Sequence, residues 1–427
     1  MQSYGVLFKI VFIGIVGMAC FIASVLVFGL VNERQTRHDD VQTDIGRTWG
    51  VPQTVVGPML VFTKPPRKDS TTPVEQYVLP STLKIESTVI PEVRSRGMYD
   101  TVVYTQTLRV SGVFATADVP DAPTRSVPTL VLALSDTRSI ETQVALDWNG
   151  ASVLFEPGLG TQVIDSAGIH ARVPFTAATE RYPFSFEFTI KGSKEALFVP
   201  LGKETEVRVV SPWMTPEFTG AFLPSDRTLD AQGFRATWHV SSYGRNVPQT
   251  WDDVHVVGPS ALTSTAFGVH FYDGVNLYTQ IDRSVKYAIL FIVITFTVFF
   301  LFDILQHVRV HPVQYLLIGA ALALFYLLLL SFAEQIGFLK AYMLATGMIT
   351  LLVTWYSASV LKEKARALVV GITLTILYTF LYFVLKLEDY ALVFGSLLLF
   401  ALLACVMFLT RRVDWFSVGK SDASASW

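Results

Sequence analysis

Hydrophobic positions gather into two blocks that flank a long middle with a different rhythm. The first block runs from Ile10 through Phe12, Ile15, Phe21, Val25 and Leu26 to Val31 without a charge. That is enough to cross a hydrocarbon core of about 30 Å as a helix. It is also longer than the apolar core of a cleaved signal peptide, about 7–15 residues, so residues 1–31 read as a retained transmembrane anchor. The second block holds five runs of spanning length, Tyr287–Leu305, Val313–Phe332, Lys340–Val360, Ala367–Leu385 and Ala391–Leu409. Short connections join them, which predicts a five-helix membrane domain over residues 287–412 and a short tail over 413–427.

The middle, residues 32–286, changes period. Alternating or β-branched runs at Thr82–Val89, Tyr99–Val110, Tyr182–Ile190 and Thr205–Val210 predict strands, because alternate side chains of a strand share a face. Turn residues punctuate them at Glu156-Pro157-Gly158, Lys191-Gly192-Ser193 and Pro200-Leu201-Gly202. Before the first strand, Asn32–Gly50 is rich in charge, and it reads as an outward continuation of the first helix that ends near Trp49, Gly50 and Pro52. The predicted fold is a membrane bundle of six transmembrane helices with a large inserted, β-rich, sandwich-like domain.

Positive charge gives the orientation, since cytoplasmic loops are enriched in Lys and Arg. Arg309, then Lys362, Lys364 and Arg366, then Arg411, Arg412 and Lys420 fall on the side of the N-terminus. The opposite connections carry Lys340 and Lys386 beside Glu334, Glu388 and Asp389. Both termini are therefore expected in the cytoplasm and residues 32–286 outside it.

Composition adds bounds. The chain has 427 residues, 51% of them hydrophobic, and a formal net charge of −2. That balance leaves no basic footprint for nucleic acid. Cys20 and Cys405 both lie in apolar runs, so the middle must fold by core burial without a disulfide.

Chemistry is sparse. His307 and His311 share the spacing of a helical zinc pair, but Val308 follows His307 and the H-E-x-x-H pattern fails. Pro312 instead marks a helix start. Phosphate-cradling, dinucleotide and nucleophile-elbow patterns do not occur in a fitting context, so neither a catalytic set, a metal site nor a cofactor is expected. The notable polar residue inside a span is Asp303, with His307 four residues on along the same face. An ionisable group in a membrane helix carries a functional hypothesis by default, and a structural or snorkelling carboxylate near the helix end is the competing account. Glu334, Glu388 and Asp389 are expected at outer helix ends, facing Arg283 or Lys286.

Several phrases, in order, resemble a known family. They include Trp49-Gly50 through Gly57-Pro58, Leu79-Pro80, Arg96-Gly97-Met98-Tyr99, Pro200-Leu201-Gly202 and Ser211-Pro212-Trp213 in the middle. In the membrane part they include Arg283-Ser284-Val285-Lys286-Tyr287, His311-Pro312-Val313-Gln314-Tyr315 and Glu388-Asp389-Tyr390. On these phrases the chain resembles the CreD-type inner-membrane proteins over nearly its whole length. It departs at Asp303, where glutamate is expected from the family pattern. The resemblance implies a Gram-negative inner membrane, a periplasmic domain, expression tied to a two-component system, and roles in envelope integrity and colicin tolerance. No catalytic residues come with it.

The expected function is non-enzymatic: a periplasmic β-domain that meets another envelope protein, lipid or glycan, on a bundle held in membrane lipid, with no oligomeric state fixed by the residues. The rival expectation is a transporter or lipid-handling protein whose polar path is lined by Asp303, His307, Gln314 and Glu334. Alkaline phosphatase inserted at Gly150 is expected to be active in whole cells; a cytosolic reporter active at the same position would overturn the topology.

Overall fold

The computed structural model describes residues 4–66, 73–97, 99–120, 127–140, 142–161, 167–252, 257–271, 277–305, 310–387 and 391–411. His307, Glu388 and Asp389 lie outside the described residues. The chain divides into two compact units, residues 1–38 with 275–427, and residues 39–274.

The first unit is helical. Its elements are α1 (Tyr4–Trp49), which continues into the second unit, then α3 (Leu277–Lys286), α4 (Ala288–Leu305), α5 (Pro312–Ile336), α6 (Phe338–Leu361), α7 (Lys364–Lys386) and α8 (Ala391–Thr410); a short α2 (Pro259–Thr263) belongs to the second unit. Five runs are long and apolar enough to cross a membrane: Val11–Trp49, Leu277–Ile304, Pro312–Ile336, Phe338–Leu361 and Lys364–Lys386. A shorter apolar stretch, Val393–Phe408, lies within α8.

Local chemistry sets several ends. Pro312 opens α5 at the first helical position, where its missing N–H costs nothing. Lys362 closes α6 in the left-handed region at φ 55°. The sequence reading ran the β-rich region to residue 286, whereas Leu277–Lys286 is the amphipathic helix α3, burying Tyr278, Ile281 and Val285 on one face. Ten residues are too few for a helical period to stand out against the neighbouring strands.

Inside the bundle, α1 buries Val16, Cys20, Ser24, Val27 and Val31 at steps of three and four. Cys20 meets α5 at Gly319, where an added Cβ would lie 2.9 Å from the Phe296 ring, so the glycine permits the close approach. Further along, Phe325 packs 4.5 Å from Tyr378 and 5.6 Å from Tyr342, centroid to centroid. The Tyr342 hydroxyl donates to the Tyr378 carbonyl at 2.6 Å.

The second unit contains the strands β1 (Gln53–Lys64), β2 (Val74–Val78), β3 (Thr82–Arg96), β4 (Tyr99–Ala115), β5 (Thr129–Leu134), β6 (Ala145–Trp148), β7 (Ala151–Leu154), β8 (Glu156–Pro157), β9 (Ala167–Arg172), β10 (Arg181–Ser193), β11 (Glu195–Phe198), β12 (Glu204–Ser211), β13 (Pro216–Gly220), β14 (Asp226–Asp230), β15 (Gly233–Ser241), β16 (Thr250–Asp252) and β17 (Phe267–Phe271). One sheet runs β13-β17-β11-β1-β5-β9-β8, with β2 also on β1 and β16 on β2; the other runs β14-β15-β12-β3-β4-β10-β6-β7.

Strand β10 shows why these residues form strands. Tyr182, Phe184, Phe186, Phe188 and Ile190 point inward, while Pro183, Ser185 and Glu187 face out. The expected turn at Lys191–Ser193 is instead the end of this strand, and the chain bends at Lys194, φ 59°, to enter the other sheet as β11. Gly192 stays extended because the Tyr104 ring occupies the space of a side chain there. Buried residues of both sheets, among them Leu83 and Ile85 from one and Leu130 and Leu132 from the other, belong to a single core cluster. Trp148 stacks on Tyr182 at 5.4 Å within it, and its indole N–H donates to Pro174 at 2.9 Å.

The last turns of α1 belong to this unit and dock on it. Trp49 lies under the Arg94 guanidinium, 3.9 Å from the ring centroid, and its indole N–H donates to Tyr104 at 3.3 Å. Asp44 pairs with Arg96 at 2.7 Å. Arg138, held by Asp136 at 2.8 Å, donates to the Arg47 carbonyl at 3.3 Å and so satisfies an end carbonyl of the helix. Gly50 lies against the Lys191 backbone with no room for a side chain.

The Arg138 guanidinium holds the Asp136 carboxyl below the usual carboxylate range. A depressed carboxyl contributes stability above its unfolded value of about 3.9 and loses it as pH falls through the lower folded value. Asp136→Asn should therefore destabilise the β unit by roughly 1–2 kcal/mol at neutral pH. In thermal melts of the full chain the deficit should shrink as pH falls below the unfolded value of about 3.9.

Candidate functional site

The polar residues singled out in the membrane part prove to be spread along it. Gln314 stands at the first turn of α5, where its Oε1 accepts from the His311 N–H at 2.8 Å while His311 Nδ1 accepts from Val313 at 3.3 Å. This is a capping box, and it commits Gln314 to the helix start. Glu334 stands near the other end of α5, about 30 Å away by helical rise. It accepts from the Tyr278 hydroxyl of α3 at 3.2 Å, and the His38 ring lies 5.6 Å from Tyr278. Lys286 pairs within α3 with Asp282 at 2.6 Å. Arg283 is on the same helix. Asp303 lies near the end of α4, half-buried, where it interacts electrostatically with Tyr315 of α5. Gln314 and Glu334 are thus not brought together.

Grooves beside α4 are apolar. One, of about 460 Å³, lies between α1 and α4; another, of about 350 Å³, lies between α4, α7 and α8. Thr297 lines both, and its hydroxyl donates to the Val293 carbonyl at 2.7 Å.

The second unit presents a site that the sequence reading missed. Outward residues of six strands line up in one row across the eight-stranded sheet: His239, Glu206, Lys84, Ser111, Ser185 and Asp147. With strands about 4.8 Å apart, the row extends for roughly 24 Å. It lines a groove of about 630 Å³ that also takes in Thr82, Val113 and Pro183 and is edged by Gly150. The next row alternates in charge, Arg208, Glu86, Arg109 and Glu187. Arg109 holds Glu187 at 2.7 Å, and Lys84 reaches Glu86 at 3.0 Å and Glu206 at 3.9 Å. Lys84 keeps the Glu86 carboxyl below the usual range, chiefly through that hydrogen bond. No local signal pairs these residues, because strand partners are distant in sequence.

Beside the groove, two of the sequence phrases meet. Gln249 donates to the Leu79 carbonyl at 2.6 Å, the Lys203 N–H to Pro80 at 3.0 Å, and the buried Arg245 guanidinium to Leu201. Asp118 accepts from Ser81 at 2.8 Å and pairs with Lys203. Burial pushes the Arg245 pKa down, and Asp118 opposes the shift. A buried cation with these acceptors ties four connections together, which is a structural use.

Among the described histidines, His170 Nδ1 donates to the Gly158 carbonyl at 2.8 Å, His239 lies near Glu206, and His270 contacts Glu217 at 3.2 Å. Among the described residues no group of three or more His, Cys, Asp or Glu is placed to hold a metal.

Apolar helices long enough to cross a bilayer, with a large β unit between the first and the rest, define a multi-pass membrane protein. The profile of the family described as "Inner membrane protein CreD" matches residues 5–416. A relative of that description from Escherichia coli (strain K12) is 30% identical over 419 residues, covering 94% of this chain and 92% of the relative. The chain belongs to the CreD family, and its location is the inner membrane.

Two solved structures align in part. A candidate nutrient-binding protein from Legionella pneumophila shares 7% identity over 55% of this chain and 86% of its own, with a TM-score of 0.26. An M1 zinc metallopeptidase from Deinococcus radiodurans shares 14% over 39% and 41%, with a TM-score of 0.20. At these scores neither likeness bears on fold or function.

Proposed function

We propose that the chain supports envelope integrity by non-enzymatic recognition, with its β unit on the periplasmic side. In this reading α8 is a sixth span and the two sheets with one core form a sandwich. Both termini face the cytoplasm, and the tolerance of stress or colicins implied by the family resemblance follows from what the β unit binds. The observation that carries the reading is the polar groove on the eight-stranded sheet. Its row of roughly 24 Å offers imidazole, carboxylate, amine and hydroxyl groups along one face of the sheet. That length and chemistry suit an extended envelope polymer, a glycan or a peptide, better than a compact solute.

The transporter reading draws no comparable support. Gln314 is committed to a helix cap and Glu334 to Tyr278, at opposite ends of α5.

Replacing Lys84 and Glu206 by Ala and Ser185 by Trp together should abolish survival under an envelope challenge. It should also abolish in-cell capture by a photoreactive residue at position 111, while the protein stays protease-resistant. Asp303→Asn should leave survival intact. The reverse pattern, with the triple variant silent and Asp303→Asn disabling, would move the activity into the helical bundle.

A further inference from the structure

Glycines in a membrane helix are ordinarily explained by close helix packing, and Gly319 fits, since a Cβ there would collide with Phe296. Two glycines of α1 do not fit. A Cβ added at Gly14 meets nothing within 4 Å, and one at Gly17 meets only Phe296 and Ile292 at ordinary contact, 3.9–4.0 Å. Their bare backbones instead form one wall of the groove between α1 and α4, and leave it open.

Three further features define what fits. The groove follows α4 from Ile289 to Phe300, about 16 Å by helical rise, close to the hydrocarbon depth of a single leaflet. The hydrogen of its one hydroxyl, on Thr297, is already donated to Val293, so the side chains of the walls offer an occupant no hydrogen-bond donor. Met18, Ile289 and Val293 line it and are themselves outward-facing, 60%, 42% and 48% exposed. The groove is therefore continuous with the surface these helices turn to the bilayer. A slot of this kind left unfilled would forfeit dispersion contacts along its whole length, and the molecules that meet its mouth in a bilayer are lipid tails.

We propose that this groove is a binding site for one acyl chain of a bilayer phospholipid, kept open by Gly14 and Gly17. The inference rests on the inner-membrane location and is independent of what the β unit recognises.

The test uses the full chain in nanodiscs with phosphatidylethanolamine carrying a diazirine on its acyl chain, and mass spectrometry to locate the labelled residues. Labelling should concentrate on residues 13–21 and 289–300 over Leu351 and Trp355 of α6, which are each 72% exposed and line neither groove beside α4. Gly14→Leu and Gly17→Leu, each made singly because the added side chains enter open or ordinary space, should reduce that labelling to the level at Leu351 and Trp355. Labelling of the groove on the other side of α4, at Leu402 and Val406, should persist. Labelling in proportion to exposure everywhere, or unchanged in both variants, would overturn the proposal. A photoreactive residue at position 14 that joins two copies of the chain would also overturn it, by assigning the groove to a protein neighbour.

Discussion

Hydrocarbon offers no hydrogen-bond partner, and this one constraint explains most of the helical unit. A backbone in lipid must satisfy itself, so each apolar block forms helices. The same rule reaches the side chains. Ser24, Thr297, Ser357, Thr373, Thr375 and Thr379 each donate to the carbonyl four residues back. Such groups are chemically silent. Charged and amide groups cannot be silenced in this way and sit near helix ends, where Gln314 caps α5 and Glu334 takes the Tyr278 hydroxyl.

Outside lipid the problem is reversed, because water competes for every polar group and the middle of the chain has no disulfide to restrain it. Apolar burial in a shared core does the ordering, and aromatic rings such as Trp148, Tyr182 and Phe175 stack within it. Polar contacts are then used where connections must be fixed. The Asp118–Lys203–Arg245 cluster ties turns that are far apart in sequence, and Trp49 with Arg94 and Arg138 fixes the last turns of α1 on the sheet. Neither arrangement adds much stability by charge alone, since desolvation offsets pairing. Their value is in specifying one geometry.

This contrast also explains what the sequence made legible. Helical runs in lipid are set by local composition, and the start of α5 at Pro312 and the end of α1 at Trp49 could be read directly. Strands with alternating or β-branched runs, β3, β4, β10 and β12, were equally readable. The turn expected at Gly192 was not, because the reason for that glycine is the ring of Tyr104, 88 positions earlier. Helix α3 was hidden by its brevity. The sheet-face groove was invisible for the same reason as Gly192: Glu206, Lys84, Ser111, Ser185 and Asp147 become neighbours only through strand register. Family phrases such as Leu79-Pro80 and Pro200-Leu201-Gly202 pointed beside the groove, to its structural support.

The pairing of charges on that face bears on how a partner would be recognised. Lys84 is shared by Glu86 and Glu206, and Arg109 by Glu187, so the rows present alternating signs that cancel within a few ångströms. A field of that kind decays over less than the Debye length of about 8 Å at physiological salt and does not steer a distant ligand. Recognition of the kind proposed would depend on short-range fit along the row, which demands that the partner already be close. Under the proposed function, confinement of the β unit and its partner in one narrow compartment would meet that demand without long-range attraction, and a chain with a net charge of only −2 is consistent with it.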